Sequence, residues 1–286
     1  MENIKIRLGG VPEHFNLPIR LAQERGVFSS RGVELEWTDF PGGTGQMTQA
    51  LRNDEIDACV LLTEGIIADI IKGNPSKLIS EYVTTPLTWG IHTGANNPLN
   101  EHKHIFDKQY AISRYGSGSH LMAIIDAESR GKKLEHSQFT VIKDLTGAIP
   151  SLESGETDVF YWEKYTTKPL VDQGVFKRVG EFNTPWPCFV IAATDKILAA
   201  HPDTIVRLLR TIHDECDHFM HNDDNIQLVS ERYRQKYADA ERWYNSSAWA
   251  IHGWIGDKMI KSVIYHLQMA EIIEKNAKIP ELIWKR

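Results

Sequence analysis

Short apolar runs of strand length alternate with amphipathic helical patterns over the first part of the chain. Strands are predicted at about residues 4–8, 33–37, 58–62 and 78–84, and helices at about 18–22, 44–51 and 65–71. The run at 58–62 is apolar throughout, which is typical of a strand buried on both faces of a parallel sheet. This alternation predicts a doubly wound α/β sheet.

Part of this pattern occurs twice. The first copy begins at Thr44-Gly45 and passes through an acidic stretch into an apolar strand, and the second copy begins at Thr146-Gly147. Each copy ends on a loop with a carboxylate, Glu64 in the first and Glu163 in the second. Each is also preceded by a strand, a glycine-rich turn and a helix. Two similar α/β halves in one chain favour a small ligand bound between them.

The second half is predicted to be inserted into the first. Residues 93–108 are polar and contain Gly94 and Pro98, as expected of a connection, and Pro185-Trp186-Pro187 precedes a fresh apolar strand at 188–193. From Pro202 onward the pattern is helical, with Pro202 in the first turn of one helix and further helices at about 223–237, 239–251 and 256–276. The predicted lobes are therefore 1–92 plus 185–286, and 93–184, joined by two crossings that form a hinge.

Composition narrows the classes of function. The chain has 286 residues and a formal net charge of −6, which argues against a general nucleic-acid-binding protein. No apolar run reaches the roughly 18–20 residues of a membrane span. No signal peptide follows Met1, so we expect a cytoplasmic protein as the sequence stands, or a periplasmic one if a leader was removed. Three scattered cysteines predict structural thiols rather than a disulfide framework.

Several segments resemble a known superfamily. They are Gly10-Val11-Pro12, residues 21–28 (LAQERGVF), Val33-Glu34-Leu35, Gly42-Gly43-Thr44-Gly45 and Ile56-Asp57-Ala58. They are similar to the solute-binding superfamily that includes sulfonate, nitrate and taurine receptors, riboflavin and thiamine-precursor binders, and the fungal thiamine-pyrimidine synthases. The likeness covers about residues 4–200 and is strongest over 10–75.

The resemblance implies the type II periplasmic-binding-protein fold, in which two lobes close on a ligand in the cleft between them. The chain differs from that superfamily in two respects. Its transporter receptors are exported or lipid-anchored, and this sequence shows neither signal. Its pyrimidine synthases share a cysteine-rich cluster that carries iron, and no such cluster occurs here.

Two glycine-rich turns are candidate ligand sites. Gly43-Thr44-Gly45 and Ser117-Gly118-Ser119 each lead into a helix, where free backbone N–H groups and the helix dipole can hold an anionic or strongly polar group. The alternative is a plain turn capped by Thr44 or Ser117. We expect the two turns to occupy matching places in the two lobes and to face the cleft.

Carboxylates and aromatic rings supply the other candidates. Glu64 and Glu163 are expected at solvated carboxyl ends of buried strands, where open α/β sheets bind ligands. Carboxylates beside aromatic faces favour a planar, amine-bearing ligand. The remaining predicted ligand-binding residues are Pro12, Glu13 and His14, in a loop expected to overhang the cleft, and the aromatic residues Trp89, Tyr115, Trp162 and Trp186. A solvated surface pair is the alternative for Glu13 and His14.

Other chemistry finds little support in the sequence. His213, Asp217 and His221 suggest a metal site, but the acids and histidines of this helix are spread around it, so a solvated helix is predicted. GxSxG, HExxH and P-loop motifs do not occur. We predict no catalytic residue, no metal and no cofactor.

The sequence therefore predicts a non-catalytic protein that binds a small, polar, heterocyclic metabolite, such as a thiamine precursor, by hinge closure. One alternative is an enzyme of the thiamine-pyrimidine-synthase kind, or another that uses Glu64, Glu163 or His14 as acid or base. Another is an ABC-transporter receptor for a sulfonate or similar anion, whose partner would be a permease if the chain is exported. The third is a regulatory or transport partner that acts through its surface. The sequence leaves the oligomeric state open.

Overall fold

The computed structural model describes residues 3–285, which form two compact units. Unit 1 contains the chain up to Thr85, Trp186–Tyr265 and the chain from Ile273 onward. Unit 2 contains Pro86–Pro185 and the short segment His266–Ile272. The chain thus leaves unit 1 after Thr85 and returns at Trp186.

Unit 1 is built on a five-stranded sheet. Its strands are β1 (Ile4–Gly10), β2 (Val33–Asp39), β3 (Ala58–Leu62), β4 (Ser76–Val83) and β10 (Phe189–Thr194), in the order β2-β1-β3-β10-β4. Strand β1 pairs in parallel with β2 and β3, whereas β10 is antiparallel to both β3 and β4. Every residue of β10 is buried. The predicted α/β architecture is confirmed for this unit.

The helices of unit 1 connect these strands and continue after β10. They are α1 (Leu17–Glu24), α2 (Val27–Ser30), α3 (Thr44–Arg52), α4 (Thr63–Ile71), α8 (Asp195–Ala200), α9 (Pro202–Met220), α10 (Asp224–Arg232), α11 (Tyr237–Ser246) and α12 (Asp257–Met269), whose last four residues belong to unit 2. A 3-10 helix, His14–Asn16, precedes α1.

The predicted helix at 239–251 is wrong at its end. Helix α11 stops at Ser246, and the following residues run beside the outer strand β4, where Trp249 forms a bridge with Val83. The Ala250 amide donates to the Tyr82 carbonyl at 2.8 Å. The backbone groups of these residues therefore bond to the edge of β4 instead of extending the helix. This contact also covers an otherwise exposed sheet edge.

Unit 2 has a sheet of its own. Its strands are β5 (Thr88–Gly94), β6 (Tyr110–Ile112), β7 (Phe139–Val141), β8 (Val159–Glu163) and β9 (Phe176–Asn183), in the order β7-β6-β8-β5-β9. Its helices are α5 (Gly118–Ser129), α6 (Leu145–Ser154) and α7 (Lys168–Asp172), with 3-10 helices at His102–His104 and His136–Gln138. One face of the sheet packs on an apolar cluster that includes Leu152, Phe160 and Phe176.

The two sheets have the same plan. In each, one strand pairs in parallel with two neighbours, and the fourth strand of the order, β10 or β5, is antiparallel. The aspartate that precedes the third strand in each sheet order, β3 or β8, also accepts the same kind of backbone hydrogen bond in both units. The Arg7 amide donates to Asp57 Oδ2 at 2.8 Å, and the Gln109 amide donates to Asp158 Oδ2 at 3.2 Å. The repeat in the sequence is therefore a repeat in the structure.

A buried aspartate joins three elements of unit 2. Asp126, on α5, is fully buried and accepts hydrogen bonds from His102 Nε2, from the Tyr161 hydroxyl at 2.5 Å and from Arg130 Nε at 2.9 Å. Arg130 also donates to His102 Nδ1 at 3.1 Å, so the proton of this imidazole is on Nε2. Burial alone would raise the pKa of Asp126, but the three donors outweigh it and hold that pKa below its usual range.

We expect Asp126→Ala to lower the free energy of unfolding by about 3–5 kcal/mol, because it leaves buried donors without an acceptor. Tyr161→Phe removes one donor and is expected to cost less, about 1.5–3 kcal/mol. Urea denaturation followed by circular dichroism measures both. Equal midpoints for Asp126→Ala and the unsubstituted protein would contradict the structural role of this network.

Candidate functional site

The loop after β1 is held by aromatic side chains from distant parts of unit 1. The Tyr82 hydroxyl and the Trp249 indole N–H both donate to the Phe15 carbonyl, at 2.8 and 3.0 Å. The Tyr233 hydroxyl donates to the Glu13 carbonyl at 3.1 Å. The backbone of residues 13–15 is therefore fixed by groups that follow it by 65 residues or more along the chain.

His14 lies inside this arrangement rather than on the surface. Its side chain is 2% exposed, stacks on Phe15 and meets the rings of Tyr233 and Trp243 edge-on. Burial lowers the pKa of His14 to about 3, so the ring is neutral at physiological pH. The solvated interpretation of Glu13-His14 is thus wrong for His14, while Glu13 is half-buried and Pro12 is exposed.

The turn before α3 leaves backbone donors at the start of that helix. Gly43 has a positive φ of 69° and provides no side-chain cap. The first helical bonds run from the Gln46 and Met47 amides to the Gly43 carbonyl, so the Thr44 and Gly45 amides precede them. Thr44 is buried, and its hydroxyl accepts from the Leu62 amide at 3.2 Å, which joins this turn to the end of β3.

The beginning of α4 packs closely against the same turn. A Cβ added to Gly65 would lie 2.4 Å from Thr44 Cγ2, so only glycine permits this approach. The Thr63 hydroxyl donates to the Pro187 carbonyl at 2.7 Å, and the Thr63 amide donates to the Cys188 carbonyl at 3.0 Å. Glu64 lies between Thr63 and Gly65. It is therefore at the place where the turn before α3, the start of α4 and the segment before β10 meet.

Glu64 is a buried carboxyl group that is only partly satisfied. It is 1% exposed, and its Oε2 accepts from the Trp186 indole N–H at 3.0 Å. Its Oε1 has no hydrogen-bond partner among residues 3–285. Burial raises the pKa of Glu64 to about 7, and the backbone amide of Glu64 and the Trp186 indole act in the opposite direction. The expectation of a solvated strand end is therefore wrong for Glu64, because α4 continues the chain inward.

Glu163 is also buried, at 7% exposure, but its carboxylate is satisfied by its own loop. The Tyr165 amide donates to Oε1 at 3.0 Å, and the Thr166 amide and hydroxyl donate to Oε2 at 2.6 and 2.8 Å. Burial raises the pKa of Glu163, and these donors oppose the shift. The expected solvated end is wrong here too, since the turn after β8 folds onto the carboxylate.

The two glutamates are not at the same position of the repeat. Strands β3 and β8 each have five residues, and each follows the aspartate described above. Glu163 is the last residue of β8, whereas Glu64 is the second residue of α4. This offset explains why one carboxylate caps its own turn and the other points into the packing of unit 1.

The predicted match between the glycine turns is wrong as well. The turn before α3 follows β2, whereas the turn before α5 follows β6, the counterpart of β1. The counterpart of Ser117-Gly118-Ser119 in unit 1 is therefore the loop that carries His14. Strand order decides this assignment, and it agrees with the repeat in the sequence, where Thr44-Gly45 matches Thr146-Gly147.

The turn before α5 satisfies its own polar groups. Ser117 is the N-cap and accepts from the His120 amide at 3.4 Å, as the capping alternative predicts. Ser117 and Ser119 hydroxyls are 3.0 Å apart, and Ser119 accepts from the Ser113 amide at 3.1 Å. His120 Nδ1 accepts from the Gly116 amide at 3.1 Å. Burial lowers the pKa of His120 to about 4.

The predicted aromatic residues have different environments. Trp89 is buried, and its indole donates to the Thr184 hydroxyl at 2.9 Å. Trp162 stacks on Phe160 and packs against the apolar cluster of unit 2. Tyr115 is 42% exposed and stacks on His136 at a centroid distance of 4.5 Å. Of the predicted aromatic residues, only Trp186 is bound to a predicted carboxylate.

Sequence reasoning missed residues that complete the surroundings of the first loop. Asn16 donates to the Val11 carbonyl at 2.8 Å, and its Oδ1 lacks a partner within residues 3–285. Trp243 Nε1 and His14 Nε2 are likewise buried without a partner in that range. The helical pattern of α11 indicates a buried face. It does not predict that the Trp243 ring packs against the loop after β1.

The helix that suggested a metal site has ordinary packing. His213 Nε2 lies 2.9 Å from the Ser80 hydroxyl, and burial lowers the pKa of His213 to about 4. His221 bonds to the Asp217 carbonyl on the exposed side of α9. No group of three or more potential ligands suited to a metal occurs within residues 3–285. Nor is any helix in that range long and apolar enough to cross a membrane.

Comparison with family models and curated proteins gives partial matches. Residues 89–182 match a family described as "Ca3427-like PBP", and this stretch lies within unit 2. The chain is 25% identical over 215 residues to the 4-amino-5-hydroxymethyl-2-methylpyrimidine phosphate synthase of Schizosaccharomyces pombe. That match covers 70% of this chain and 60% of the relative, less than two thirds of the relative's length.

Comparison with solved structures covers nearly the whole chain. The Candida albicans CA3427 gene product, described as defining a new family with the generic periplasmic binding protein fold, is 25% identical with a TM-score of 0.89, over 99% of this chain and 98% of that chain. The alkanesulfonate-binding protein SsuA from Xanthomonas axonopodis pv. citri, bound to MOPS, is 15% identical with a TM-score of 0.81, over 99% of each chain. These findings confirm the resemblance and the fold that it implies. The chain has the type II periplasmic-binding-protein fold.

Proposed function

We propose that the protein binds a small, polar, heterocyclic metabolite of the thiamine-precursor kind and does not transform it. In this proposal the ligand contacts both units and stabilises their closed arrangement. The observation that carries the proposal is Glu64, a buried carboxyl group with an unpaired oxygen beside Trp186 and the turn before α3. A buried polar atom without a partner is costly, and a ligand donor offsets that cost.

The surroundings of Glu64 favour a ligand with two kinds of polar group. An exocyclic amine can donate to Glu64 Oε1, and a hydroxyl or phosphate can accept from the amides of Thr44 and Gly45. The name of the Schizosaccharomyces pombe relative describes such a pyrimidine, with an amino and a hydroxymethyl group. A planar ring also suits the nearby indole of Trp186.

A sulfonate or similar anion is the second candidate, because the amides at the start of α3 favour negative charge. The structural likeness to an alkanesulfonate-binding protein points the same way. An anion would meet Glu64 only in its protonated form, since an ionised carboxylate repels it. A permease partner belongs to this candidate alone.

An enzyme of the synthase kind has less support. Lys164, the lysine nearest the predicted site in sequence, donates to Glu181 at 2.9 Å and lies over the Tyr165 ring. His14 is neutral and enclosed by aromatic rings. An imine absorbance on incubation with pyridoxal phosphate would favour this alternative over simple binding.

We expect Glu64→Gln to weaken binding of 4-amino-5-hydroxymethyl-2-methylpyrimidine by about 1.5–3 kcal/mol, the range for a hydrogen bond to a charged group. Glu163→Gln is expected to have a similar effect if Glu163 also contacts the ligand. Calorimetric titration measures both, and Glu34→Gln, an exposed substitution on β2, is the control with the same chemical change. Unchanged affinity in Glu64→Gln would refute the role of this carboxyl group.

The stability of the ligand-free protein should depend on the ionisation of Glu64. Its pKa is about 7 in the folded state and near 4.5 when unfolded, so rising pH between these values removes a proton from the unfolded chain first. The unfolding free energy contributed by this group then falls by about 3 kcal/mol across that window. The Glu64→Gln variant has no carboxyl group at this position, so its unfolding free energy does not fall for this reason.

We therefore expect the stability difference between Glu64→Gln and the unsubstituted protein to shift in favour of the variant between pH 4.5 and 8. Urea denaturation at several pH values measures it. A difference that stays constant over this range would show that the pKa of Glu64 is close to its ordinary value.

The pH dependence of binding distinguishes the two ligand classes. If the ligand donates an amine proton to ionised Glu64, its affinity rises with pH below 7, by at most about tenfold per pH unit. If the ligand is an alkanesulfonate, its affinity falls as pH rises through 7. Titrations with the pyrimidine and with an alkanesulfonate at pH 6, 7 and 8 test this, and Glu64→Gln should abolish the trend. A trend that persists in the variant must come from another group.

A further inference from the structure

Unit 2 has an open groove on the side of its sheet away from the turn before α5. The groove, which we call the basic groove, has a volume of about 840 Å³ and is lined by Asn97, Pro98, Leu99, Lys103, His104, Phe106, Asp107, Lys108, Lys132, Lys133 and Asp158. Residues 97–108 precede β6, and Asp158 immediately precedes β8. Since β6 and β8 are parallel, the groove lies at their amino ends. Glu163 and Ser117 lie at or beyond their carboxyl ends.

Hydrogen bonds fix the backbone walls of the basic groove. Asn97 donates to Asp158 Oδ1 at 3.0 Å, and Lys177 donates to the Asn97 carbonyl at 2.6 Å. The Gln138 side-chain Nε2 donates to the carbonyls of Phe106 and Lys108, at 3.2 and 2.9 Å. These bonds connect the walls to elements of unit 2, so the groove is formed before any ligand arrives.

The lining of the basic groove has more lysines than acidic residues, on a chain whose formal net charge is −6. Its lining includes four lysines and two aspartates, and one of those, Asp158, is already bound to Asn97 and to the Gln109 amide. Lys132 has no acidic partner in the described part of the chain, residues 3–285. Lys103, Lys108 and Lys133 contact Glu101, Asp107 and Glu135 at 2.7, 3.0 and 3.6 Å. These ion pairs lie at the surface, where solvent weakens them.

The equivalent edge of unit 1 is occupied by side chains. There Arg7 binds Asp57 at 2.7 Å and Asp54 at 3.3 Å, and Lys196 also binds Asp54. Unit 2 has Gln109 at the position of Arg7, and no arginine lines the basic groove. Its cations are lysine ammonium groups on flexible stems, which bind phosphate as point charges rather than as the planar fork that suits a single carboxylate.

We propose that the basic groove is a second binding site, for a small polyvalent anion of the phosphate type such as a short polyphosphate chain. Its volume is within the range of small-molecule sites, about 300–1,000 Å³. A chain of phosphate groups can bridge lysines from the two lining segments, residues 97–108 and 132–133, and displace the weak pairs with Glu101, Asp107 and Glu135. The site is separate from Glu64 and does not depend on the proposed metabolite.

Calorimetric titration of the full chain with inorganic tripolyphosphate tests the proposal. At 50 mM salt we expect saturable binding of one equivalent, weakened several-fold at 200 mM salt because ions screen exposed charges. The double variant Lys132→Gln/Lys133→Gln should bind at least tenfold more weakly. The control Lys258→Gln/Lys261→Gln makes the same charge change at exposed positions of α12 and should bind within twofold of the unsubstituted protein.

Further titrations distinguish binding in the basic groove from binding elsewhere on the protein. Glu64→Gln should bind tripolyphosphate as tightly as the unsubstituted protein does. The proposed metabolite site and the proposed phosphate site can therefore be refuted independently of each other. Saturable binding that is lost equally in both lysine double variants would overturn the proposal, as would no saturable binding at 50 mM salt. Equal affinity for citrate would overturn the assignment to phosphate. Melting temperatures check folding, and the single variant Lys132→Gln, expected to bind about threefold more weakly, replaces the double variant if that fails to fold.

Discussion

The sheet of unit 1 depends on a strand that the chain supplies only after unit 2 has been completed. Strand β10 lies between β3 and β4 and is antiparallel to both, so without it β3 and β4 have no common partner. All its residues are buried. The sheet therefore cannot close until the chain returns at Trp186, which makes the pairing of β10 the constraint on which unit 1 depends.

The same return segment builds the surroundings of Glu64. Trp186 donates to the carboxyl group, and the carbonyls of Pro187 and Cys188 bind Thr63 beside it. The segment that leads into β10 thus also supplies hydrogen-bond partners at the candidate site. Glu163 shows the contrast, because its loop alone satisfies it. The carboxylate of Glu163 is satisfied by nearby backbone, whereas Glu64 keeps an oxygen without a partner in the described part of the chain.

Much of the fold could be predicted from local patterns, because the strands Ile4–Gly10 and Ala58–Leu62 and the repeat after them are encoded by neighbouring residues. Two features of the candidate site could not. The burial of Glu64 depends on Trp186, far away in the chain. The position of His14 depends on Trp243 and Trp249. The inequivalence of the glycine turns, by contrast, follows from the repeat itself, in which Thr44-Gly45 matches Thr146-Gly147.

The aspartate that precedes the third strand of each sheet illustrates how a repeated position can carry different side chains nearby. In both units it accepts from the backbone of the neighbouring strand, so the sheet is held whatever side chain that neighbour carries. Arg7 adds a salt bridge in unit 1, and Gln109 does not in unit 2. A backbone contact that tolerates substitution frees one copy of a duplicated position to diverge. Two structurally equivalent edges of one chain can then evolve different surfaces while the scaffold beneath them stays the same.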